Sequence, residues 1–342
     1  MALRAEQRSW PEEREDMKTA VWCGLVLVGL ASAMTQSAAA EIITLKLAHT
    51  YVPGSIWYDV AEDYAARVRD RSGGSVNVEI AVPGSTDGAP PSAQDLLAGK
   101  LDVVMQPLGA LARYDALAGI EAFPYLIRNV AHFKAVYDGP VGRDLLDQIG
   151  KRTAFHSVGA GYRGTHHLSS NRLVEKLDDL RGLKIRVPEL KLSQLTWEYL
   201  GATAVPMDAA ELFGALRQGN VAAQESPLEV MRDTNLSVVQ EYVIETGHVL
   251  GVMTFILSDA RYWALSEEVR ALLLEEGEAA MRTGADRMIE MEARYRKDLE
   301  TRGMTFIPVN RNAFQAKLAP MVQDFPELRE WVKRIQDEKE GQ

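Results

Sequence analysis

The sequence predicts an α/β protein made of two strand-and-helix units. Between residues 42 and 105 the patterns follow the order strand, helix, strand, helix, strand, which is typical of a doubly wound sheet. The glycine-rich segment Gly159-Ala160-Gly161 then indicates the start of a second unit of the same kind. A nearly continuous apolar run at 249–257 has the length of a strand buried on both faces.

In the first unit each element has a local sequence signal. Residues 42–49 alternate as a strand, and Ser55 is placed to cap a helix that runs to about Arg71. Gly73-Gly74 ends that helix because glycine readily leaves the helical conformation. The remaining predicted elements are a second strand (76–82), a loop (83–92), a short helix that ends near Gly99 and a third strand (101–105).

The second unit is followed by one unusually long helical pattern. Ser266 is placed to cap it, and the pattern can reach Arg302. Gly277 and Gly284 interrupt the pattern, so we expect a kink or break there. The other predicted elements are helical segments at 131–149, a strand at 153–158, a strand at 182–188, helices at 190–200 and 209–218, a turn at 224–227, a strand at 304–309 and terminal helices.

Composition and charge exclude several classes of partner. The chain has 342 residues, with 38 Lys and Arg and 48 Asp and Glu. Four of the former and five of the latter lie in residues 1–40, so the remainder carries 34 basic and 43 acidic groups and a net charge of −9. An acidic surface argues against nucleic acid and anionic lipid as partners. The single cysteine, Cys23, leaves no disulfide and no thiolate metal site beyond residue 40.

The N-terminal segment is predicted to be a cleaved secretory signal peptide, which implies a periplasmic protein. An uncharged run at 19–40 follows Met17-Lys18, and Ala38-Ala39-Ala40 offers a small-residue cleavage site before Glu41. Met1 and Met17 both remain possible starts, with Met17 favoured because residues 1–16 are charged. A membrane anchor is the alternative, but the apolar centre is shorter than the ~20 residues that a span needs.

The sequence carries none of the common signatures of enzymes or metal sites. It has no dinucleotide-binding or phosphate-binding glycine motif, no nucleophile elbow and no H-E-x-x-H. His166 and His167 are neighbours, and neighbours on a strand point to opposite faces, so one metal could not easily use both. We therefore predict no catalytic residue, no cofactor and no metal ion.

Arg186 is the strongest single candidate for a binding residue. Leu183, Ile185 and Val187 alternate with polar residues and predict a strand with one buried face, which places Arg186 on the opposite face. Its guanidinium offers a rigid fork of donors that matches a carboxylate. Taken alone, the pattern favours a neighbouring Asp or Glu over a ligand as the source of that carboxylate.

Six short motifs, spread over about residues 43–310, occur together in one known family. In order they are Leu45-Lys46-Leu47-Ala48-His49, Gly99-Lys100-Leu101-Asp102, Phe123-Pro124-Tyr125, Leu180-Arg181-Gly182 with 183–188, Leu200-Gly201-Ala202 with Val205-Pro206-Met207, and 215–219 ahead of Gln224-Glu225-Ser226-Pro227. As a set they resemble the solute-binding subunit of a tripartite ATP-independent periplasmic (TRAP) transporter, the DctP-like family. The family arginine that pairs with the ligand carboxylate matches Arg186.

The resemblance implies a type II-like periplasmic binding protein fold, with two hinged α/β lobes and a long, kinked C-terminal helix. After the upstream extension and signal peptide (1–40), we expect two lobes. Lobe I comprises 41–163 plus about 252–290, and lobe II comprises 164–251 plus about 291–342. A small organic acid anion would bind in the cleft between the lobes. It would then pass to the small and large TRAP membrane subunits. A monomer is expected.

The sequence departs from the family pattern at positions that concern the ligand. Many members have a second arginine where this chain has His166, and Arg163 lies three residues earlier. The family's asparagine in the turn at 224–227 is replaced by Ser226, which keeps a hydroxyl but has fewer donors. We expect His166 or Arg163 to take over from the second arginine, and Ser226 to contact the ligand.

Strand ends add three more candidates. Open α/β sheets bind ligands at the carboxyl ends of their strands, which favours His49, Tyr114 and Tyr162. Trp57 and Trp197 are expected to be packing residues.

Periplasmic capture of a small carboxylate, without catalysis, is the predicted function. One alternative is an exported α/β enzyme that acts on organic acids, with Arg186 as anchor and His166 or His167 as acid or base. The other alternative is a sensory binding protein that presents its ligand to a receptor. Which carboxylate is bound stays open.

Overall fold

One mixed sheet of nine strands runs through the part of the chain that the computed structural model describes, residues 42–81 and 91–340. The predicted leader and most of the loop predicted at 83–92 lie outside these residues. The strands are β1 (Ile43–Ala48), β2 (Val76–Ile80), β3 (Val103–Pro107), β4 (Phe155–Ser170), β5 (Lys184–Val187), β6 (Thr203–Pro206), β7 (Ala223–Pro227), β8 (Tyr242–Ser258) and β9 (Thr305–Ile307). Their order is β2-β1-β3-β8-β4-β7-β5-β6, and β9 pairs with β8 outside this path.

Helices connect the strands and pack on the sheet. In chain order they are α1 (Ile56–Arg71), α2 (Ala93–Leu97), α3 (Val130–Tyr137), α4 (Pro140–Arg152), α5 (Lys191–Tyr199), α6 (Ala209–Gln218), α7 (Leu228–Asp233), α8 (Asp259–Ala264), α9 (Glu267–Thr301), α10 (Arg311–Leu318) and α11 (Arg329–Asp337). None of the helices within the described ranges is both long and apolar enough to cross a membrane.

Predicted helix starts are confirmed at both serine caps. The Ser55 hydroxyl accepts a hydrogen bond from the Tyr58 amide at the start of α1, and the Ser266 hydroxyl accepts one from the Val269 amide at the start of α9. Each bond satisfies one of the amides that a helix leaves unpaired at its N-terminus.

Two long strands, β4 and β8, join the two halves of the sheet. The C-terminal part of β8 pairs with β3, and the C-terminal part of β4 pairs with β7. Because β4 and β8 also pair antiparallel with each other from Phe155 to Ser170, the sheet is continuous from β2 to β6. The short strand predicted at 153–158 was therefore wrong in length, since β4 continues through the glycine-rich segment instead of ending there.

Bulges allow β4 to continue through these glycines. Its register against β8 shifts three times between Val158 and Leu168. Gly159 and Gly164 have φ of +72° and +104°, a conformation that side chains with a Cβ rarely adopt. The predicted lobe boundary at 163/164 falls within this irregular stretch, and the division into two lobes stays a prediction.

The predicted break in the long helix is wrong, because α9 is continuous over its 35 residues. Gly277 and Gly284 instead allow close packing. A Cβ at Gly277 would clash with Val158 on β4, and one at Gly284 would lie 2.7 Å from Val60 Cγ2 and 3.0 Å from Trp57 Cζ3 on α1. The two glycines thus mark where the helix surface meets the sheet and α1.

The C-terminal segment connects parts of the protein that are distant in the sequence. The Tyr199 hydroxyl at the end of α5 donates to Asp324, 2.6 Å away. Beyond it, Arg334 on α11 forms an ion pair of 2.7 Å with Asp144 on α4, and Arg128 donates to the Gln336 carbonyl. Residues 324–336 thus extend from α5 to α4 and to the segment that precedes α3.

Gly284→Ala is expected to lower the free energy of unfolding by about 1–3 kcal/mol, because the added methyl group overpacks the contact with α1. The loss should appear although alanine favours a helix interior by about 1 kcal/mol over glycine. Urea unfolding followed by circular dichroism measures the difference.

Gly214→Ala is the matched control, because Gly214 lies in α6 and a Cβ there would meet nothing within 4 Å. It should raise the free energy of unfolding by up to about 1 kcal/mol. If both variants are stabilised alike, close packing does not explain why residue 284 is a glycine.

Candidate functional site

A cleft of about 610 Å³ opens beside the C-terminal ends of β5 and β7 and the bulged part of β4. Its walls include residues of the 3₁₀ segments Leu108–Arg113 and Ala116–Ala122 and of α5 and α6. Both halves of the sheet therefore contribute side chains. The charged and imidazole groups in the wall are Arg113, Glu121, Arg163, His166, Arg186, Glu189, Asp208, Glu225 and His248.

Arg186 enters the cleft from β5. Ile185 and Val187 on either side are fully buried in the core, so the alternation places Arg186 on the opposite face, and only 9% of it is exposed. Its Nε donates to the Met207 carbonyl at 2.9 Å. Among the described residues, Nη1 and Nη2 have no hydrogen-bond or ion-pair partner, so the outer edge of the fork is free. Within residues 42–81 and 91–340, Arg186 does not form the surface ion pair that the strand pattern alone favoured.

The electrostatic environment of Arg186 favours an anion. Burial lowers the pKa of Arg186 from its usual value, and the charges of Glu225 and Asp208 act in the opposite direction. The guanidinium remains cationic at any pH at which the protein is folded. A buried cation without a direct partner is costly, so a carboxylate that binds there recovers desolvation energy.

Glu225 and two histidines form a buried array next to Arg186. His166 Nδ1 lies 2.6 Å and His248 Nε2 3.4 Å from the same carboxylate oxygen, Glu225 Oε2. Burial raises the pKa of Glu225, but the two histidines more than compensate and hold it well below its usual value. Burial lowers the pKa of His166, against the pull of Glu225. At neutral pH the array therefore contains an ionised Glu225 and a neutral His166 that donates through Nδ1.

A second group of charged residues surrounds Arg163, and two of its members, Arg163 and Glu121, line the cleft. Glu121 accepts hydrogen bonds from the Gly109 and Val252 amides, at 2.5 and 2.9 Å, yet burial raises its pKa to about 7. Burial also raises the pKa of Glu229 to about 7, against the pull of the nearby Arg163. Among the described residues, Arg163 Nε is buried without a hydrogen-bond partner.

The structure brings four of the seven predicted ligand-binding residues to one place. Arg186, His166, Arg163 and Ser226 all line the cleft. The Ser226 hydroxyl accepts a hydrogen bond of 3.2 Å from Gln224 Nε2, which leaves its own proton free to donate. That these four residues contact a ligand remains a proposal.

The other three are not among the residues that line the cleft. The Tyr162 hydroxyl donates to Glu292 on α9 at 2.7 Å. This side chain therefore contacts the helix that packs on β4. Tyr114 packs edge-on against Phe155. His49 Nδ1 accepts from the Tyr51 amide at 3.1 Å, and burial lowers the pKa of its ring.

His167 also lies outside the wall of the cleft, although it neighbours His166. The side chains of the two neighbours diverge on the strand, as expected. His167 Nδ1 accepts from the Gly247 amide, and burial lowers the pKa of His167 to about 3. This histidine is therefore neutral and already bonded within the sheet.

Glu225 and His248 are the residues that the sequence analysis missed. Glu225 belongs to a motif that was recognised, but only Ser226 in it was expected to contact ligand. His248 directly precedes the apolar run at 249–257, and a lone polar residue at the start of a buried strand was the available signal. Across the described residues, no cluster of three or more His, Cys, Asp or Glu could hold a metal ion.

Residues 47–328 match the family model for bacterial extracellular solute-binding proteins, family 7, called DctP. A solute-binding protein of Roseobacter denitrificans is 29% identical over 294 residues, which cover 86% of this chain and 90% of that protein.

Solved structures agree with this match. A TRAP periplasmic solute-binding protein from Roseobacter denitrificans, with bound L-galactonate, superposes with a TM-score of 0.78 at 27% identity, over 87% of this chain and 99% of that one. One from a Polaromonas species, bound to D-erythronate, gives a TM-score of 0.80 at 26% identity with the same coverage. The predicted α/β periplasmic binding protein fold with a long C-terminal helix is thereby confirmed.

Glu229→Gln is expected to stabilise the protein, and to do so more at high pH. The pKa of about 7 in the folded state lies above the ordinary 4.5, so the stability that the bound proton provides is present at low pH and is lost as the pH rises through about 7. Between about pH 5.5 and 8, the wild type should lose on the order of 1–2 kcal/mol relative to the variant. Urea unfolding at the two pH values measures this.

Glu241→Gln serves as the control, since Glu241 is exposed. The difference in the free energy of unfolding between wild type and this control should not change with pH. If the difference in the free energy of unfolding between wild type and Glu229→Gln is equally constant, Glu229 is ionised over the whole pH range tested.

Proposed function

This chain belongs to family 7 of the bacterial extracellular solute-binding proteins, the DctP family of TRAP transporters, and we propose that its cleft captures a small organic acid anion through Arg186. The observation that carries the proposal is the free outer edge of the Arg186 guanidinium within the cleft. Since Nε is held by the Met207 carbonyl, the fork is oriented before a ligand arrives. A carboxylate can then accept two parallel hydrogen bonds from Nη1 and Nη2.

The size of the cleft supports a small ligand. About 610 Å³ lies within the range of sites for small molecules. The acids bound by the Roseobacter and Polaromonas proteins, L-galactonate and D-erythronate, each carry one carboxylate. Ligands of this kind support the assignment of Arg186 as the group that holds the carboxylate.

Delivery and location follow from the same proposal. The ligand would be released to the small and large TRAP membrane subunits by a monomeric protein exported to the periplasm, with residues 1–40 as its cleaved leader. Binding rather than catalysis is the proposed activity. In the alternative of an exported enzyme, His166 would be the acid or base, but the sequence offers no nucleophile or cofactor motif to support it.

Arg186→Ala is expected to weaken binding of the cognate acid by about 30-fold to several-thousand-fold, because the buried carboxylate loses its charged partner. Arg186→Lys should also bind poorly, since lysine keeps the charge but not the fork. A thermal-shift screen of mono-, di-, sugar and aromatic acids identifies a ligand. Isothermal titration then measures its affinity for each variant.

Arg217→Ala is the matched control, because Arg217 is an exposed arginine on α6. It should bind as the wild type does, and all variants should give the same circular dichroism spectrum. An Arg186→Ala protein that binds within a few-fold of wild type would rule out Arg186 as the clamp. Turnover of the acid, rather than saturable stoichiometric binding, would favour the enzyme instead.

A further inference from the structure

We propose that Tyr125 and Thr246 are positioning residues for ligand capture, which together hold His248 in place in the wall of the cleft. His248 lines the cleft, whereas Tyr125 and Thr246 are not among the residues that do, so both act through the histidine. The inference rests on the proposed function, in which the cleft binds an organic acid anion.

The part of β8 that carries this histidine leaves the regular ladder. Ile244 pairs with Leu168 on β4. The next pair is Val249 with His166, so residues 245–248 have no ladder partner on that strand. The strand β3 pairs only with later residues of β8, and β9 pairs only with earlier ones. Within the described part of the chain, no neighbouring strand therefore sets the position of residues 245–248.

Tyr125 takes the place of a ladder partner. Its amide donates to the His248 carbonyl at 2.7 Å, and its hydroxyl donates to the Thr246 carbonyl at 3.1 Å. The two carbonyls lie on either side of Gly247, which has a φ of +54°, a conformation that glycine adopts freely. One residue outside the strand thus fixes the main chain at both ends of this turn.

The backbone of Tyr125 is itself in an unfavourable conformation. Its φ is +56°, in the left-handed region, which is uncommon for a residue with a bulky side chain. Among the described residues, the other non-glycine residue with a positive φ is Asn235, a residue type that adopts this region more readily. Such strain persists where the surrounding structure requires it, and it is frequent beside functional sites. The two bonds to β8 are what this conformation of Tyr125 provides.

Thr246 extends the restraint from the main chain to the imidazole ring. Its hydroxyl lies 2.8 Å from His248 Nδ1, and both residues are buried. On the other side of the ring, Nε2 lies 3.4 Å from Glu225 Oε2. Because a carboxylate only accepts, the ring directs a proton at Glu225 from Nε2, and Nδ1 accepts from Thr246. The contact with Thr246 is the shorter of the two and restrains the ring more strongly.

Two further side chains in the wall of the cleft depend on where this ring lies. Trp197 packs edge-on against His248, with ring centroids 5.2 Å apart and planes at 76°. Glu225 is the second, through the contact with Nε2. Both line the cleft together with His248. A ring that is free to shift therefore disturbs three neighbouring groups that a bound acid meets.

Tyr125→Phe and Thr246→Val are the test variants, because each removes one hydroxyl and keeps the shape of the side chain. Each should weaken binding about threefold to tenfold, the effect of losing one uncharged hydrogen bond. Isothermal titration measures this with the tightest-binding acid of the thermal-shift screen, which includes D-erythronate and L-galactonate. Thr246→Ser restores the hydroxyl and should recover most of the affinity that Thr246→Val loses.

Tyr64→Phe and Thr254→Val are the matched controls. Each removes a buried hydroxyl that donates to a main-chain carbonyl, of Leu273 at 3.5 Å and of Gly159 at 2.6 Å. Neither Tyr64 nor Thr254 lines the cleft. Both variants should lower the free energy of unfolding in urea, as the test variants do, but their affinity should stay within about twofold of wild type.

The double variant Tyr125→Phe/Thr246→Val tests whether the two residues act along one route. If both act by holding His248, the loss of affinity in the double variant should be clearly smaller than the product of the two single losses. Losses that multiply would mean that the residues act separately, which overturns the inference.

Two further results would overturn it. One is a folded Tyr125→Phe protein whose affinity equals that of wild type, and the other is an equal loss of affinity in the controls. If Thr246→Val does not fold, the comparison of Tyr125→Phe with Tyr64→Phe decides alone. In all these cases the proposed function stands if Arg186→Ala abolishes binding. If the wild type binds no acid of the screen, the proposed function and the inference fail together.

Discussion

Antiparallel pairing of β4 with β8 is the interaction on which both the sheet and the cleft depend. It holds two sets of shorter strands in one sheet, because β3 joins through β8 and β7 joins through β4. The bulges in β4 interrupt the register near its middle, and Arg163 and His166 lie at these irregularities. The same strand therefore provides continuity and two side chains of the cleft.

Neighbouring strands also explain how the polar array forms. Glu225, His166 and His248 come from β7, β4 and β8, which are adjacent in the sheet. The pairing places His166 opposite Pro227 on one side and Val249 on the other, so each partner of the array is one or two residues from a paired position. A carboxylate buried among apolar strands would be costly alone. Contacts from both histidines keep it ionised, and this preserves a negative acceptor in the cleft.

How much could be predicted from the sequence depends on whether the signal was local. The face of Arg186 followed from alternation over a few residues, and the starts of α1 and α9 followed from single serines, because both depend on immediate neighbours. Gly277 and Gly284 were misread, since a helix breaker and a close packing contact look alike until the facing element is known. His248 and the partners of Glu225 depend on strands far apart in the sequence. No local pattern could have placed them together.

Function and stability make opposite demands on this cleft. Arg186 is a buried cation without an ion-pair partner within the described residues, and its charge would be more favourable in water. A fully paired arginine would cost less, but its fork would no longer be available to a ligand.

The helix α9 has a role in the site although it lies on the other side of β4. Glu292 accepts hydrogen bonds from the Tyr162 hydroxyl and the Thr165 amide, which flank the residues that bulge toward the cleft. Nearer its start, the Gly277 carbonyl would lie only 2.6 Å from a Cβ on Gly159. An unbroken helix is what allows both contacts to act on one stretch of strand, because a kink between them would move one away. The continuity of α9 therefore serves the cleft, and the glycines that suggested a break are the means by which the helix comes close enough.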